Sequence, residues 1–122
     1  MKRVLVADDA SFMRQMIRDI IEPEGYEVVG EASDGVEVVE KFRELQPDLV
    51  MMDIVMPKRS GIDSVKAICA EAPSATVVMC SALGQEALVM EALQAGASDF
   101  IVKPFKPEAV VATLNKVQEK GE

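Results

Sequence analysis

Five polar side chains of this 122-residue chain stand where short apolar runs end, and their types suit the chemistry of phosphate. Asp8 and Asp9 follow the first run, and Asp53 ends the third. Ser81 follows the fourth run, and Lys103 follows the fifth. Each of them alone has an ordinary explanation, as a helix cap, a turn residue or a solvated lysine. Their common position after successive runs favours one shared site.

The chemistry expected of this set is phosphoryl transfer assisted by a divalent cation. Three close carboxylates repel one another, so one of them protonates unless a cation lies between them. Mg²⁺ prefers oxygen ligands and often binds through one or two carboxylates together with phosphate oxygens. The ammonium of Lys103 would balance phosphoryl charge, and the hydroxyl of Ser81 would donate a hydrogen bond. Asp53 is then the expected nucleophile, because carboxylates form acyl phosphates.

The elements that must position these side chains follow from the alternation of apolar runs with helical spacing. The expected strands cover residues 4–7, 26–32, 49–52, 76–80 and 100–102, and a helix follows each of them. This order predicts an α/β fold, a (βα)₅ parallel sheet covered on both faces. The second strand contains Glu27 and Glu31 and is placed at an edge, which fits a flavodoxin-like, doubly wound sheet of order 2-1-3-4-5. Ligands bind outside the carboxyl ends of such strands.

Residue types also mark three helix starts. Ser11 is a possible N-cap of the first helix. Asp34 and Glu37 have the spacing of a capping box, with Asp in place of the usual Ser or Thr. Pro107 suits the first turn of the last helix.

The composition argues against several classes of protein, among them nucleic-acid-binding proteins and enzymes with a catalytic histidine. Thirteen Lys and Arg stand against 21 Asp and Glu, and the net charge of -8 argues against binding nucleic acid or an anionic membrane surface. The chain has no histidine, which excludes Ser-His and Cys-His catalysis. It shows no signal-peptide core and no membrane span, so we expect a cytoplasmic protein. We expect residues 1–122 to form a single domain without an output domain.

The motifs, taken in order, resemble the receiver domain of two-component response regulators over essentially the whole chain. The matching segments are Ala7-Asp8-Asp9, Met52-Asp53-Ile54-Val55-Met56-Pro57, Cys80-Ser81-Ala82 and Val102-Lys103-Pro104-Phe105. Residues 11–14, 80–85 and 100–105 are most similar to those of the single-domain chemotaxis members of the family.

The resemblance implies a role for each site residue. Asp53 would accept phosphate from the phosphohistidine of a kinase, which is CheA in chemotaxis, while Ser81 and Lys103 would bind the phosphoryl oxygens. The Mg²⁺ ligands would be Asp8, Asp9, Asp53 and the backbone carbonyl of Val55. The peptide bond between Lys103 and Pro104 would be cis. The protein would be a signalling protein that catalyses only its own phosphorylation and dephosphorylation.

The resemblance also implies a switch and a partner. Phe100 stands at the position of the switch aromatic, which is often Tyr, and would act together with Ser81. The phosphorylated monomer would bind the flagellar switch protein FliM through its fourth helix, fifth strand and fifth helix. Apolar residues of the fourth helix span an arc of roughly 220°, against about 100° for an ordinary core-facing stripe. We therefore predict that Val89 is exposed on this surface.

Two apolar residues point to slow loss of the phosphate. Val55 lies two residues after Asp53, and Leu83 lies two residues after Ser81, so both are expected to flank the path of the attacking water. Neither side chain can hydrogen-bond that water. A separate phosphatase is therefore an expected partner.

Other classes of protein remain open from the residues alone. A Mg²⁺-dependent phosphatase with an aspartyl nucleophile would use similar groups, although haloacid-dehalogenase-like enzymes carry an Asp-x-Asp motif after the first strand, and the pair here is adjacent. The chain could also be the receiver of another two-component pathway, a scaffold receiver that never ionises its acidic pocket productively, or the detached receiver of a DNA-binding regulator. Turnover with acetyl phosphate separates the enzyme from the regulators.

Overall fold

The computed structural model describes residues 2–120, in which five strands alternate with five helices. The strands are β1 (Lys2–Ala7), β2 (Tyr26–Ala32), β3 (Leu49–Asp53), β4 (Val77–Ser81) and β5 (Asp99–Val102). The helices are α1 (Ser11–Ile21), α2 (Gly35–Leu45), α3 (Gly61–Glu71), α4 (Glu86–Ala95) and α5 (Pro107–Lys120), and a 3₁₀ turn, Glu22–Glu24, follows α1. None of the helices in this range combines the length and the apolar character that a membrane crossing requires.

All five strands are parallel, and their order is β2-β1-β3-β4-β5. The predicted (βα)₅ fold, its strand order and the edge position of β2 are therefore confirmed. β3 and β4 are buried along their whole length, which explains their nearly continuous apolar sequences.

Helices cover both faces of the sheet, and alternate residues of β1 enter two separate cores. Val4 and Val6 pack in the layer formed with α1 and α5. Leu5 and Ala7 pack in the layer formed with α2, α3 and α4. This arrangement leaves the carboxyl ends of the strands free of covering helices, as a doubly wound sheet requires.

The predicted helix starts are confirmed at two of three positions. Asp34 caps α2 by accepting hydrogen bonds from the N–H groups of Val36 and Glu37. Pro107 is the first residue of α5. Ser11 is not an N-cap, because α1 already begins there and Ala10 holds the cap position without a side-chain bond. The carboxylate of Asp8 instead accepts from the Ala10 N–H, which turns the chain into α1 one residue earlier.

Candidate functional site

Three carboxylates meet where β1 and β3 end. Asp8, Asp9 and Asp53 each place a carboxylate oxygen within 4.8 Å of the others. Asp8 and Asp53 are buried, whereas Asp9 is exposed to solvent. The two strands are hydrogen-bonded neighbours, so side chains that follow one end lie beside those at the other. The acidic cluster that the sequence predicted is therefore present in the structure.

Lys103 joins this cluster from the far side of β4. Its ammonium donates to Oδ2 of Asp8 at 3.0 Å and to Oδ2 of Asp53 at 2.9 Å. The Lys103 backbone N–H donates to the carbonyl of Ser81 at 2.7 Å, which ties the loop after β5 to the end of β4. The bond from Lys103 to Pro104 is cis, as the resemblance implied. One ammonium thus bridges two of the three carboxylates.

The electrostatics of the site favour an additional cation. Burial raises the pKa of Asp53 and the neighbouring Asp8 carboxylate raises it further, and together they outweigh the ammonium of Lys103 and the N–H of Val55. Burial alone would lower the pKa of Lys103, but its hydrogen bonds to Asp53 and Asp8 raise it above the ordinary value. The site holds three carboxylates and one ammonium, so negative charge remains uncompensated when all three are ionised.

The donor set fits a hydrated magnesium ion. All three side chains offer oxygen, which Mg²⁺ prefers, and exposed Asp9 leaves the cluster open to the water ligands that this ion usually keeps. The N–H of Val55 donates to Oδ1 of Asp53 at 3.2 Å. The role predicted for the Val55 carbonyl stays a prediction. Burial, together with the carboxylates of Asp53 and Asp8 and against the ammonium of Lys103, raises the pKa of the Cys80 thiol to about 12, so this thiol is a poor nucleophile.

The loop between Asp53 and α3 is held by close backbone contacts that sequence analysis did not identify. A Cβ at Gly61 would lie 2.2 Å from the carbonyl oxygen of Asp53, and one at Gly35 would lie 1.9 Å from that of Arg59. The N–H of Gly35 donates to the carbonyl of Pro57 at 3.2 Å. Only glycine permits such approaches, but a single sequence contains no signal for the neighbour that comes so near.

Ser81 lies at the end of β4 and connects the acidic site with the surface of α4 and β5. It is buried and lines an apolar cavity of about 240 Å³. The other residues around this cavity are Ala82, Leu83, Glu86, Val89, Met90, Phe100 and Val102. Phe100 and Val102 are partly exposed at the edge strand β5. The two predicted switch residues, Ser81 and Phe100, therefore face the same cavity.

The prediction that Val89 is exposed is wrong. Val89 is only 6% exposed, and it packs with Ala92 into the core between α4 and the sheet. The apolar arc of α4 is too wide to be buried completely, but the residue left outside is the next one, Met90, which is 57% exposed. Helical periodicity defines which residues share a face, whereas the rotation of the helix on the sheet decides which edge of that face meets solvent.

Val55 and Leu83 are both exposed, at 55% and 82% of their surface, after the strand ends that bear Asp53 and Ser81. This exposure leaves both side chains free to lie beside an incoming water. Their predicted influence on the phosphate is therefore open to a direct test.

Comparisons with known proteins agree with this geometry. Residues 4–115 match the family model of the response regulator receiver domain. The chain is 58% identical over 118 residues to the chemotaxis protein CheY of Thermotoga maritima, covering 97% of this chain and 98% of the relative. It is 52% identical over 114 residues to CheY of Bacillus subtilis, covering 93% and 95%. A CheX-CheY-BeF₃-Mg²⁺ complex from Borrelia burgdorferi contains a chain with a TM-score of 0.91 and 37% identity, covering 95% of this chain and 88% of that one.

Proposed function

Because the chain belongs to the response regulator receiver family, we propose that it is a chemotaxis regulator activated by phosphorylation of Asp53. The phosphoryl donor is the phosphohistidine of a CheA-type kinase. The observation that carries the proposal is the placement of Asp53, buried at the end of β3 beside Asp8 and hydrogen-bonded to Lys103. The likeness of nearly the whole chain to two chemotaxis proteins supports the choice of pathway.

Each residue of the site has a separate role in the phosphoryl transfer. A carboxylate oxygen of Asp53 attacks phosphorus in line, so an O–P bond forms as the N–P bond of the phosphohistidine breaks. Lys103 holds a phosphoryl oxygen through its ammonium, and Ser81 donates a hydrogen bond to another. Asp8, Asp9, Asp53 and the Val55 carbonyl would hold Mg²⁺, which when bound offsets the negative charge of the transferring group. The protein thereby catalyses its own phosphorylation and is not a conventional enzyme.

The phosphorylated protein binds its partner through the surface of α4 and β5 beside the cavity. Ser81 lines that cavity from the site, and Phe100 lines it from β5. Engagement of Ser81 by the phosphoryl group would therefore alter the cavity against which Phe100 packs. Exposed apolar side chains of this region include Leu83, Met90, Phe100 and Val102. We assign to it the binding of the flagellar switch protein FliM by a monomer in the cytoplasm.

Termination of the signal relies on a separate phosphatase. Exposed apolar Val55 and Leu83 offer no hydrogen bond to an attacking water. The CheY relative from Borrelia burgdorferi is seen in a complex with CheX, BeF₃ and Mg²⁺, which supports a CheX-type protein as a partner of the phosphorylated form.

Mass spectrometry after incubation with acetyl phosphate and Mg²⁺ tests the proposal. The protein should gain one persistent phosphoryl group, and Asp53→Asn should gain none. Asp63→Asn, which changes an exposed aspartate in the first turn of α3, serves as the control and should be labelled normally. Stoichiometric labelling of Asp53→Asn would refute the assignment, and rapid turnover of many phosphate esters would identify a phosphatase instead. Transfer from phosphorylated CheA, compared with other histidine kinases, tests the pathway.

A further inference from the structure

Arg14 makes a contact with the acidic site that the proposed phosphoryl transfer does not use. From the second turn of α1, its Nη1 donates to the backbone carbonyl oxygen of Asp8 at 2.6 Å. Its Nε donates to Oε1 of Glu31 at 2.7 Å, and the side chain is only 17% exposed. The guanidinium therefore links the edge strand β2 to the chain segment that bears two of the clustered carboxylates.

Glu31 is itself held by a second arginine. Nη2 of Arg18, one turn further along α1, lies 2.7 Å from Oε2 of Glu31, and Arg18 also pairs with Glu22. The hydrogen bond from Arg18 lowers the pKa of Glu31 below its usual range, against the opposite effect of burial, and Arg14 lowers it further. Glu31 is thus kept ionised, and both of its oxygens are occupied by planar guanidinium groups. The charge that marked β2 as an edge strand has a specific partner on α1.

Every polar group of Asp8 has a hydrogen-bond partner, and Arg14 is the partner of its backbone carbonyl. The Asp8 N–H donates to the carbonyl of Ala32 at 3.0 Å. Of the carboxylate oxygens, Oδ1 accepts from the N–H of Ala10 and Oδ2 accepts from Lys103. The peptide unit between Asp8 and Asp9 is planar, so a hydrogen bond that holds its carbonyl oxygen also fixes the orientation of the bond to the Asp9 nitrogen.

Asp9 depends on this backbone control more than its neighbours do. No hydrogen bond or ion pair within residues 2–120 involves its exposed carboxylate, so the backbone before it, apart from the torsions of the side chain itself, is what orients that carboxylate. Asp8 and Asp53, in contrast, are each held by Lys103 and by a backbone N–H.

We propose that Arg14 is a positioning residue for the metal-binding pair Asp8 and Asp9, and that Glu31 aligns its guanidinium. The proposal rests on the proposed function in that it takes these aspartates as Mg²⁺ ligands. A guanidinium presents its donors in a fixed fork, which lets one group bind the Glu31 carboxylate and the Asp8 carbonyl together. An ammonium on a flexible stem has no such geometry.

The test is a titration with MgCl₂ followed by the backbone amide NMR signals of residues 8–10 and 53–55. Residues that orient metal ligands typically change metal affinity by about 10–100-fold when they are replaced. We expect the Mg²⁺ dissociation constant to rise at least about 10-fold in Arg14→Gln and in Arg14→Lys. Arg43→Gln is the matched control, because Arg43 pairs with Glu71 at the surface between α2 and α3. It should leave the constant unchanged.

A second measurement separates positioning from general damage to the fold. The initial rate of labelling by acetyl phosphate should recover in Arg14→Lys to within about 3-fold of the wild type at saturating Mg²⁺, while the Mg²⁺ concentration required rises in proportion to the dissociation constant. A merely structural role would lower the melting temperature without changing the affinity of the folded protein for the metal. Glu31→Gln should show a smaller loss of affinity of the same sign, because its amide oxygen still accepts from Arg14.

Each outcome decides the proposal. Wild-type affinity in Arg14→Lys would show that only charge matters and would overturn the positioning role. If the Arg14 variants do not fold, Glu31→Gln decides alone, and an unchanged constant there overturns the proposal. A wild-type protein that binds no Mg²⁺ at Asp8 and Asp9 overturns it as well. Failure of Asp53 to accept phosphate while Mg²⁺ still binds refutes the proposed function and leaves this inference standing.

Discussion

Asp53 is held at both of its carboxylate oxygens, one by a charged donor and one by a neutral donor. Lys103 occupies Oδ2 and the N–H of Val55 occupies Oδ1. A backbone N–H two residues ahead orients the carboxylate locally, whereas the ammonium comes from a residue 50 positions away. The local contact can form as soon as β3 ends in its turn, but the ionic contact requires the completed sheet. The environment of the Asp53 carboxylate is therefore a property of the folded protein.

We predict that the side chains of Val55 and Leu83 determine the lifetime of the phosphorylated form. Val55→Asn together with Leu83→Glu introduces groups that can position a water for in-line attack on phosphorus. We expect the loss of phosphate from the purified phosphoprotein in Mg²⁺ buffer to become about 10-fold faster, which corresponds to about 1.4 kcal/mol of barrier. Met90→Glu, at another exposed apolar residue of α4, controls for added surface charge and should not alter the rate. Unchanged or slower decay in the double variant would contradict the prediction.

At the scale of elements, the N-terminus of α2 holds the loop that follows β3, the strand that ends at Asp53. Ser64 on α3 donates to the carbonyl of Gly35 at 2.8 Å, and the Gly35 N–H donates to Pro57 in the loop. Lys58, which has a positive φ of 67°, pairs with Asp34 at 3.3 Å. Two of these contacts hold Pro57 and Lys58 against the N-terminus of α2, and the third ties α3 to the same terminus. The loop that carries Val55 is positioned from both of its flanks.

Gly35→Ala should loosen this attachment. The new Cβ would lie 1.9 Å from the Arg59 carbonyl oxygen, so the backbone of the loop must move. We expect urea unfolding to show a loss of about 2 kcal/mol in the free energy of unfolding, within the usual range for overpacking. Gly30→Ala in β2 is the matched control. Its Cβ would approach the flexible end of Leu45 most closely and would lie at ordinary van der Waals distance from Leu5, so its effect should stay below about 1 kcal/mol. Equal losses in the two variants would contradict the special role of Gly35.

At the scale of the whole molecule, the fold brings three carboxylates together at one edge of the sheet, and this arrangement is unfavourable to the folded state without metal. In the unfolded chain, Asp8 and Asp53 are separated by more than 40 residues of sequence. In the folded protein, their oxygens and those of Asp9 lie within 4.8 Å. Their repulsion therefore opposes folding, and a cation that binds only the folded state relieves it.

Magnesium should accordingly stabilise the folded protein by linkage. At a free Mg²⁺ concentration ten times its dissociation constant, the free energy of unfolding should rise by about 1.4 kcal/mol. Asp9→Ala should abolish this increase and raise the stability measured without metal, because one of the repelling carboxylates is gone. Thermal unfolding with and without millimolar Mg²⁺ provides the measurement, and Asp63→Ala should retain the full dependence. Identical melting of the wild type in both buffers would contradict the assignment of the metal site.

The sequence alone was sufficient for the architecture and for the cluster at its centre. Apolar runs that alternate with helical periodicity determine which segments become strands and helices, because burial of one face is the dominant local requirement. The charges of β2 placed it at the edge, and the rule for parallel sheets brought Asp8, Asp9 and Asp53 together. Lys103 was correctly included because its strand ends at the same edge.

Only the tertiary structure decided which surfaces those elements present and which backbones touch. Val89 and Met90 are consecutive in sequence and lie about 100° apart on one apolar arc. The rotation of α4 against the sheet, set by its neighbours, buried the first and exposed the second. The packing of separate segments likewise determines two backbone contacts. Arg14 donates to the Asp8 carbonyl, and Gly35 lies close to the carbonyl of Arg59. Periodicity describes each segment by itself, whereas contacts between segments arise from the packing of all of them together.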